Sequence, residues 1–414
     1  MPMQFNPSFE SVEAPPIAAA QGWIRGLPID PNRPLIDLAQ AVPADPPPVS
    51  LTDHLSALLT RPETHLYTDI LGLPALRDAL AVHMSSVYEA AIPAERVAIT
   101  AGCNQAFCLT MQCLASAGDE VLLPEPHYFN HKMWLDALGL KTVTLPFRPD
   151  RAGIPDPIEA ERLITPRTRA IVLVTPNNPT GAVYPAPLLD AFAAVARRAG
   201  IALVLDETYK DFHPGRFADN SAARTGRAGG TGIPHALFQD SDWGDTVVQL
   251  YSFSKAYSMT GYRVGSVIAG PRLIAVLEKA MDCMAICAPR IGQEAALFAL
   301  ASLGEWSTEK ARLLARRADR FRSAVTSRAP AWDLVSIGAF FAYLRHPFDG
   351  TAAATIAEGL ARQQRLLVLP GTMFGAGQQP YLRIAFANVA DEMAPTVADR
   401  LQEYADTGDP GSGA

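Results

Sequence analysis

The sequence predicts an α/β fold in which a mostly parallel sheet is covered by helices on both faces, followed by a smaller α+β lobe. From about residue 95 to 270, short β-branched runs alternate with helical patterns, as is typical of parallel sheets. The chain has 414 residues, which favours two lobes over a single core. Hydrophobic residues make up 49% of it and charged residues 19%, so a large core can be buried.

Six runs in the first lobe have the length and composition of buried strands. Each is short and apolar, and each is bounded by turn residues or by a helical pattern. In chain order they are VAIT at residue 97, EVLL at 120, AIVLV at 170, ALVLD at 202, VVQLYS at 247 and VGSVIAG at 264.

The second lobe is predicted from the residues that follow. Apolar residues recur at helical spacing from about 294 to 328, and strand candidates FFAYLR, LLVLP and YLRIAFA begin at 340, 366 and 381. The segment at 222–232 is predicted to be a mobile surface loop. We therefore predict an N-terminal arm and small-domain segment (1–50), a large domain (51–290), a small C-terminal domain (291–405) and a disordered tail (406–414).

Charge and composition exclude several classes of function. The formal net charge is -7 and no Lys/Arg block occurs, which argues against nucleic-acid binding. The amino terminus lacks the basic start and apolar run of a secretory signal, and no segment reaches the roughly 18 to 20 apolar residues of a membrane span. Five cysteines, an odd number, fit reduced thiols. We expect a soluble cytoplasmic protein with small-molecule partners.

Two pairs of potential metal ligands stand four residues apart in the sequence. They are Cys283 with Cys287 and His127 with His131. Such spacing would place both members of a pair on one helical face, where they could ligate a metal. No CxxC pair accompanies them. The prediction is that the protein has no metal site, with these pairs as the alternative.

Polar motifs follow three of the predicted strands. The motif TPNNPTG begins at Thr175, directly after AIVLV. The run Asp206 to Tyr209 begins with the last residue of ALVLD. The run Ser252 to Lys255 begins with the last residue of VVQLYS, and Arg263 lies beyond it. In a parallel α/β sheet ligands bind beyond the carboxyl ends of the strands, because side chains and helix amino termini converge there. These motifs therefore predict one pocket.

Lys255 is the candidate nucleophile of this pocket. Burial and neighbouring positive charge lower the pKa of a lysine ammonium, and the free amine that results can form an imine. A lone lysine beside serines is usually a solvated surface residue. The motifs around Lys255 favour the functional interpretation instead.

Two groups of residues could bind a phosphate ester. Ser252 and Ser254 supply hydroxyl donors, and Arg263 supplies a guanidinium that reads phosphate oxygens in pairs. The second group is Gly102, Cys103 and Asn104, which lie where a strand gives way to a helix near Gln105. Backbone N–H groups at a helix start bind phosphate, although an ordinary tight turn has the same pattern.

Four further residues could bind a pyridine ring held between these groups. Asp206 could keep the ring nitrogen protonated, which makes the ring a better electron acceptor. Tyr209 and Asn178 could donate hydrogen bonds to a phenolate oxygen on the ring. Tyr128, after the predicted strand at 120, could stack on its face, although a lone aromatic residue is usually core packing.

From about residue 65 to 390 the motifs resemble, in order, those of class I/II (fold type I) aminotransferases. The run SFSKAYSMTGYRVG, which contains Lys255, resembles the cofactor-lysine signature of that family. The resemblance implies a mostly parallel seven-stranded sheet and pyridoxal 5′-phosphate as cofactor. It implies that Lys255 is the Schiff-base lysine and the proton shuttle. It also implies that the candidate phosphate ligands and ring ligands described above bind the phosphate and the ring of this cofactor.

The resemblance also implies residues for the substrate and for a partner subunit. Tyr67 in LYTDILGLPALRDAL matches the tyrosine that reaches the phosphate of the neighbouring subunit, which implies a homodimer with shared active sites. Arg383 in YLRIAFAN matches the arginine that binds the substrate α-carboxylate, and its planar fork suits that group. Asn178 is a second candidate for the same carboxylate.

The residues at two positions bear on the identity of the substrate but do not define it. Ala41 stands where many relatives have glycine before the substrate, so the pocket shape of relatives does not transfer directly. Arg290 could bind a distal substrate carboxylate, with a structural salt bridge as the alternative. At Cys103, we expect only the backbone to matter.

The predicted reaction is a two-stage, ping-pong amino transfer between an L-amino acid and a 2-oxo acid. The same residues could also support β- or γ-elimination, racemisation, oxidation, or the cyclisation carried out by aminocyclopropane-carboxylate synthases. A transcription regulator that uses this fold to bind an effector is a further alternative. It would need a basic helix-turn-helix domain, and the roughly 65 residues before Tyr67 are acidic and rich in proline.

Overall fold

The fold is described from a computed structural model. The structure describes residues 3–214 and 233–407. Its strands are β1 Ile36–Asp37, β2 Val97–Thr100, β3 Glu120–Pro124, β4 Lys141–Leu145, β5 Thr168–Val174, β6 Ala202–Asp206, β7 Val247–Ser252, β8 Gly265–Ile268, β9 Asp333–Gly338, β10 Phe341–Arg345, β11 Leu366–Leu367, β12 Leu369–Pro370 and β13 Tyr381–Ile384.

The α-helices of the described residues lie between these strands and at both ends of the chain. They are α1 Pro7–Glu10, α2 Pro16–Ile24, α3 Val49–Leu58, α4 Pro74–Tyr88, α5 Cys103–Leu114, α6 Phe129–Ala137, α7 Pro157–Leu163, α8 Ala186–Ala199, α9 Phe253–Ala256, α10 Pro271–Ala285, α11 Arg290–Ser302, α12 Gly304–Arg328, α13 Ala353–Gln363 and α14 Met393–Asp406.

The central sheet of the described residues has seven strands in the order β2-β8-β7-β6-β5-β3-β4. Neighbouring strands are parallel except β8, which is antiparallel to both β2 and β7. Apolar core clusters lie on both faces of the sheet, so its central strands are buried on both sides. The predicted mostly parallel α/β fold is confirmed.

The six predicted strands of this sheet are all present, and the seventh was missed. Strand β4 has the sequence KTVTL, and most of its residues are partly or fully exposed. It lies at the sheet edge and pairs only with β3 among the described strands. An edge strand can keep polar side chains, so it lacks the continuous apolar run that identified the others.

A second, four-stranded antiparallel sheet has the order β12-β13-β10-β9 within the described residues. Helices α12, α13 and α14 pack with it around a separate apolar cluster. The predicted strands near 340, 366 and 381 belong to this region, whereas β9, which is only partly buried, was missed. The predicted domain limits at residues 50, 290 and 405 stay a prediction.

The N-terminal arm joins this second region. Strand β1 pairs in parallel with β11, and helix α2 packs against α13. A cluster of Ala20, Ala39, Phe129, Leu367 and Phe374 brings the arm, the large sheet's helix α6 and the second region together. The arm therefore packs beside helix α6 of the large sheet.

Two predicted segments fall mainly outside the described residues. The predicted mobile loop at 222–232 lies wholly outside them, as do residues 408–414 of the predicted tail. Asp406 is the last residue of α14, so the helix extends one residue into the segment that was predicted to be disordered. No helix within residues 3–214 and 233–407 has the length and apolar character that a membrane crossing requires.

Candidate active site

A cavity of about 400 Å³ lies beyond the carboxyl ends of β5, β6 and β7. Strand ends and helix starts supply its polar groups, as the strand-end motifs predicted. The predicted site residues that line it are Ala41, Cys103, Asn104, Tyr128, Asn178, Asp206, Tyr209, Ser252, Ser254, Lys255, Arg263 and Arg383. Residues separated by more than 300 positions in the sequence thus meet in one pocket.

Lys255 lies in the short helix α9, which begins directly after β7. Its ammonium donates a hydrogen bond to the carbonyl oxygen of Ala41 in the arm. Burial, together with the positive charges of Arg383 and Arg263, lowers the pKa of Lys255 to about 8. Roughly a tenth of the side chain is therefore the nucleophilic free amine at pH 7, far more than for an ordinary lysine.

One end of the cavity is cationic and rich in donors. Gly102 precedes helix α5 with a φ of 84°, and a Cβ atom there would lie 2.2 Å from Nη2 of Arg263. Glycine is thus required for the guanidinium to lie over this helix start. Ser252 and Ser254 line the same cavity, and the Ser252 hydroxyl accepts a hydrogen bond from the Ser254 amide at 3.2 Å. This end has the donors that an anion needs.

Asp206 is the carboxylate of the same cavity and has two partners that the sequence did not identify. Nε2 of His131 lies 3.2 Å from one carboxylate oxygen, and the Thr208 amide donates to the other at 3.0 Å. Burial raises the pKa of Asp206, but the hydrogen bond and charge of His131 and the hydrogen bonds of Thr208 outweigh burial and lower it. Asp206 therefore stays ionised although it is buried.

His131 was considered only as a metal ligand in the sequence. Its ring stacks on Phe107 with centroids 3.9 Å apart, and the Nε2 edge of the ring is directed at Asp206. The spacing of His131 from His127 gave no indication of this partner, because Asp206 is 75 positions away and meets it only through the sheet.

The side chain of Cys103 makes a contact that the sequence did not predict. Its sulfur lies 3.7 Å from Oδ1 of Asp206, and the expectation that only its backbone matters for the site stays a prediction. Burial and the negative charge of Asp206 raise the pKa of this thiol well above its usual value. The side chain is therefore a neutral neighbour of the buried carboxylate.

Tyr128, Asn104 and Tyr209 form the aromatic and amide walls. The hydroxyl of Tyr128 is 3.4 Å from Oδ1 of Asn104. Tyr209 is buried and packs on Phe340 and Phe341 of the second region. Burial raises the pKa of Tyr128 to about 12 and that of Tyr209 well above its usual value, so both hydroxyls are hydrogen-bond donors at neutral pH.

Arg383 lies in β13 and reaches the cavity from the second region. Nη1 donates to Oδ1 of Asn178 at 3.2 Å, and Nη2 donates to the carbonyl oxygen of Ala39. Its guanidinium carbon lies 5.1 and 5.0 Å from the ring centroids of Phe341 and Phe374. Burial lowers the pKa of Arg383 to about 10, which leaves it charged at neutral pH. The two residues predicted for a substrate carboxylate are thus in contact.

Two of the residues singled out in the sequence lie away from the cavity. Tyr67 is 74% exposed on the surface of this chain. Arg290 begins helix α11, and its Nε lies 3.5 Å from Oε1 of Glu294. This contact matches the structural salt bridge that we kept as the alternative for Arg290.

The possible metal pairs do not share helical faces. His127 precedes α6, whereas His131 lies within it, and Cys287 lies beyond the end of α10. Across residues 3–214 and 233–407, no three His, Cys, Asp or Glu side chains are grouped so that they could hold a metal ion. Burial lowers the pKa of His127 to about 3, so its ring is neutral.

Comparison with known proteins decides the family. The family model described as aminotransferase class I and II matches residues 33–401. The chain belongs to this family. The family prediction made from the sequence motifs is thereby confirmed.

Relatives of the aminotransferase cover most of its length. An aromatic aminotransferase of Arabidopsis thaliana is 29% identical over 386 residues, which is 92% of each chain. An arginine–pyruvate transaminase of Pseudomonas aeruginosa is 30% identical over 331 residues, which is 80% of each chain. Because these names differ in their amino donor, they support aminotransferase activity without defining the substrate.

Solved structures agree with this relationship. An aminotransferase from Staphylococcus aureus has a TM-score of 0.84 at 26% identity and covers 97% of this chain and 99% of its own. An aspartate aminotransferase from Thermus thermophilus has the same TM-score and coverage at 24% identity, which supports the fold.

The enzyme is an aminotransferase that uses pyridoxal 5′-phosphate. The residues present fit this cofactor. The Gly102 turn, which a Cβ atom would fill, lies beneath Arg263 at the cationic end, and Asp206 offers an ionised carboxylate to a ring nitrogen. The amine of Lys255, with its lowered pKa, lines the same cavity.

Proposed function

We propose that Lys255 performs the central chemistry of this aminotransferase, by holding the cofactor covalently and by moving the substrate proton. When bound, the cofactor supplies an aldehyde that condenses with amines and a protonated ring that withdraws electrons. The Lys255 amine would accept the α-proton of a bound amino acid and hold it at Nζ, from where it could be returned during the same half-reaction. Its lowered pKa supports both roles, because an amine must be unprotonated to act as nucleophile or base.

The other end of the ring is assigned to Asp206. Its ionised carboxylate would hold a proton on the ring nitrogen, and His131 and Thr208 would keep the carboxylate oriented and charged. Tyr209 and Asn178 would donate to the phenolate oxygen, and Tyr128 would stack on the ring. Hydrogen-bond donors of this kind keep electron density on the cofactor rather than on the substrate.

The phosphate is assigned to the cationic end. Ser252, Ser254 and Arg263 would contact its oxygens, together with the backbone N–H groups of Cys103 and Asn104 at the start of α5. The backbone conformation of Arg263, with a φ of 53°, aims its guanidinium across Gly102. Such a fixed anchor would keep the reacting carbon near Lys255 through both half-reactions.

The substrate α-carboxylate is assigned to Arg383 with Asn178. The guanidinium is buried, remains charged and donates to neutral carbonyl and amide oxygens. An incoming carboxylate would therefore replace weak acceptors with a charged one. Ala41, whose carbonyl oxygen accepts from Lys255, forms the neighbouring wall.

A homodimer with shared active sites is part of the proposal. Tyr67 is 74% exposed and Leu66 is 63% exposed, which supports a covered position for this segment in an assembly. Tyr67 would reach the phosphate of the neighbouring subunit. Sedimentation would measure the oligomeric state of the enzyme. The Tyr67→Phe variant should retain the cofactor less tightly but should remain a dimer.

We also propose a cytoplasmic location for the enzyme, without nucleic-acid partners. All five cysteines are free thiols, which suits a reducing compartment.

The observation that carries the proposal is a lysine of lowered pKa in the same cavity as an anion-binding end and an ionised buried carboxylate. The test mixes the purified holoenzyme with single amino acids and follows the visible absorbance of the cofactor. We expect the spectrum of the pyridoxamine form, reversed by 2-oxoglutarate or pyruvate. Release of ammonia or of a cyclic product without that conversion would contradict amino transfer and support elimination or cyclisation.

A further inference from the structure

A second cavity, of about 430 Å³, lies between the N-terminal arm and helices α5 and α6. We call it the arm chamber. Its walls are mainly apolar and include Phe9, Val12, Pro15, Phe107, Met133 and Trp134. Asn104 and Asn130 line both the arm chamber and the catalytic cavity, so the two spaces adjoin at these uncharged amides.

The charges around the two spaces are unevenly distributed. Among the described residues, the cations that line the catalytic cavity are Lys255, Arg263 and Arg383, and the proposed function uses all three. The arm chamber has no lysine or arginine in its described lining. Its described lining includes one carboxylate, that of the exposed Glu13. The ring of His131, the partner of Asp206, lies in the same lining.

Resting on the proposed function, we propose that the amino donor has a large, uncharged, apolar side chain that lies in the arm chamber. A side-chain carboxylate would leave water without gaining a lysine or arginine partner from the described lining, and it would approach Glu13. An apolar side chain instead gains roughly 25 cal/mol for each Å² that it buries against the chamber walls. The amides of Asn104 and Asn130 add no charge that would favour either ion.

The first test compares kcat/KM for leucine, methionine and phenylalanine with that for alanine, aspartate, lysine and arginine. We expect kcat/KM for each large apolar donor to exceed that for alanine, aspartate, lysine and arginine by about ten-fold or more, since a pocket contact discriminates by this order. An equal or higher value for a charged donor would overturn the inference and leave amino transfer intact. If no donor converts the cofactor, it is the proposed function that fails.

A matched pair of variants locates the side chain. Ala14 lines the arm chamber and is exposed, so Ala14→Trp should fill part of it. Ala18 is equally exposed on α2 but lines neither cavity, which makes Ala18→Trp the control. We expect Ala14→Trp to lower kcat/KM for phenylalanine about ten-fold, with alanine and the control changed less than about two-fold. Equal losses for phenylalanine and alanine would overturn the assignment.

Arg290 provides a last check on charge. It lies outside both cavities of this chain, and its partner is Glu294. We expect Arg290→Gln to leave the ratio of phenylalanine to aspartate turnover unchanged within about two-fold. A different outcome would be that the wild-type enzyme prefers aspartate and that Arg290→Gln selectively lowers aspartate turnover. This outcome would mean that Arg290 of a second subunit binds a distal carboxylate.

Discussion

Asp206 and Glu207 are adjacent carboxylates at the end of β6, yet they belong to two different regions. Asp206 faces the catalytic cavity, whereas Glu207 accepts a hydrogen bond from the Tyr88 hydroxyl at 2.6 Å and another from Gln249. Nε2 of His235 lies 3.3 Å from the other oxygen of Glu207. Asp206 is the last residue of β6 and Glu207 follows it, so one position separates a carboxylate that faces the cavity from one that is fully packed.

The two regions treat buried charge differently. The Glu207 region consists of Glu207, Tyr88, Gln249 and His235 with the neighbouring pair Lys210 and Asp211. Here carboxylates contact hydroxyl groups and opposite charges directly, as in the 3.0 Å pair of Lys210 and Asp211. In the catalytic cavity, Lys255 and Arg383 instead donate to neutral carbonyl oxygens. In the proposed anion-binding cavity, Lys255 and Arg383 thus contact neutral oxygens, whereas in the structural region a carboxylate neutralises Lys210. The following predictions test this contrast.

The largest effect is expected from Lys255→Ala. Removing the amine removes both the covalent attachment and the base, so turnover should fall on the order of a thousand-fold or more. Donor-dependent conversion of the cofactor spectrum is the measurement. The control is Lys279→Ala, at an exposed lysine of α10, which should retain activity. An intact cofactor spectrum and turnover in Lys255→Ala would remove the basis of the assignment.

The next effect is expected from Arg383→Lys. The charge is kept but the planar fork is lost, so kcat/KM for the amino donor should fall about a hundred-fold. The loss should appear mainly as a higher donor KM, measured in steady-state assays. Arg345→Lys, at an exposed arginine of β10, is the matched control. Equal effects of the two variants would show that Arg383 does not contact substrate.

A smaller effect is expected from pH on cofactor uptake by the apoenzyme. Only the free amine of Lys255 condenses with the aldehyde, and its pKa is about 8. The uptake rate should therefore rise about ten-fold per unit of pH below that value and level off above it. Arg383→Gln removes a positive charge that lowers this pKa, so the midpoint should move to higher pH. A wild-type midpoint near that of an ordinary lysine would contradict the predicted shift.

The smallest effect on activity is expected from Tyr88→Phe in the Glu207 region. The variant removes the hydrogen bond that the Tyr88 hydroxyl donates to the buried carboxylate of Glu207. This loss should lower the free energy of unfolding by about 1–3 kcal/mol. Turnover should change less than about two-fold. Denaturant unfolding and steady-state assays measure the two quantities, with Tyr381→Phe as a hydroxyl deletion outside this region. A large loss of turnover at unchanged stability would mean that the two regions are not separate.

The sequence predicted which residues line the cavity better than it predicted the contacts among them. Lys255, Arg263 and Asp206 were identified because a nucleophile, an anion ligand and a carboxylate each follow an apolar strand. His131 was missed because its partner is distant in the chain, and Cys103 was given a backbone role because its contact with Asp206 depends on side-chain direction.

The sequence by itself determined the α/β class, the strands with continuous apolar runs and the family motifs, because these depend on residue type and local spacing. Only the tertiary structure decided which side chains contact Asp206, which carbonyl oxygens accept from the cations, and that the arm lines a second cavity. Those features depend on the register of strands and on the packing of segments far apart in the chain, and local sequence patterns do not encode either one.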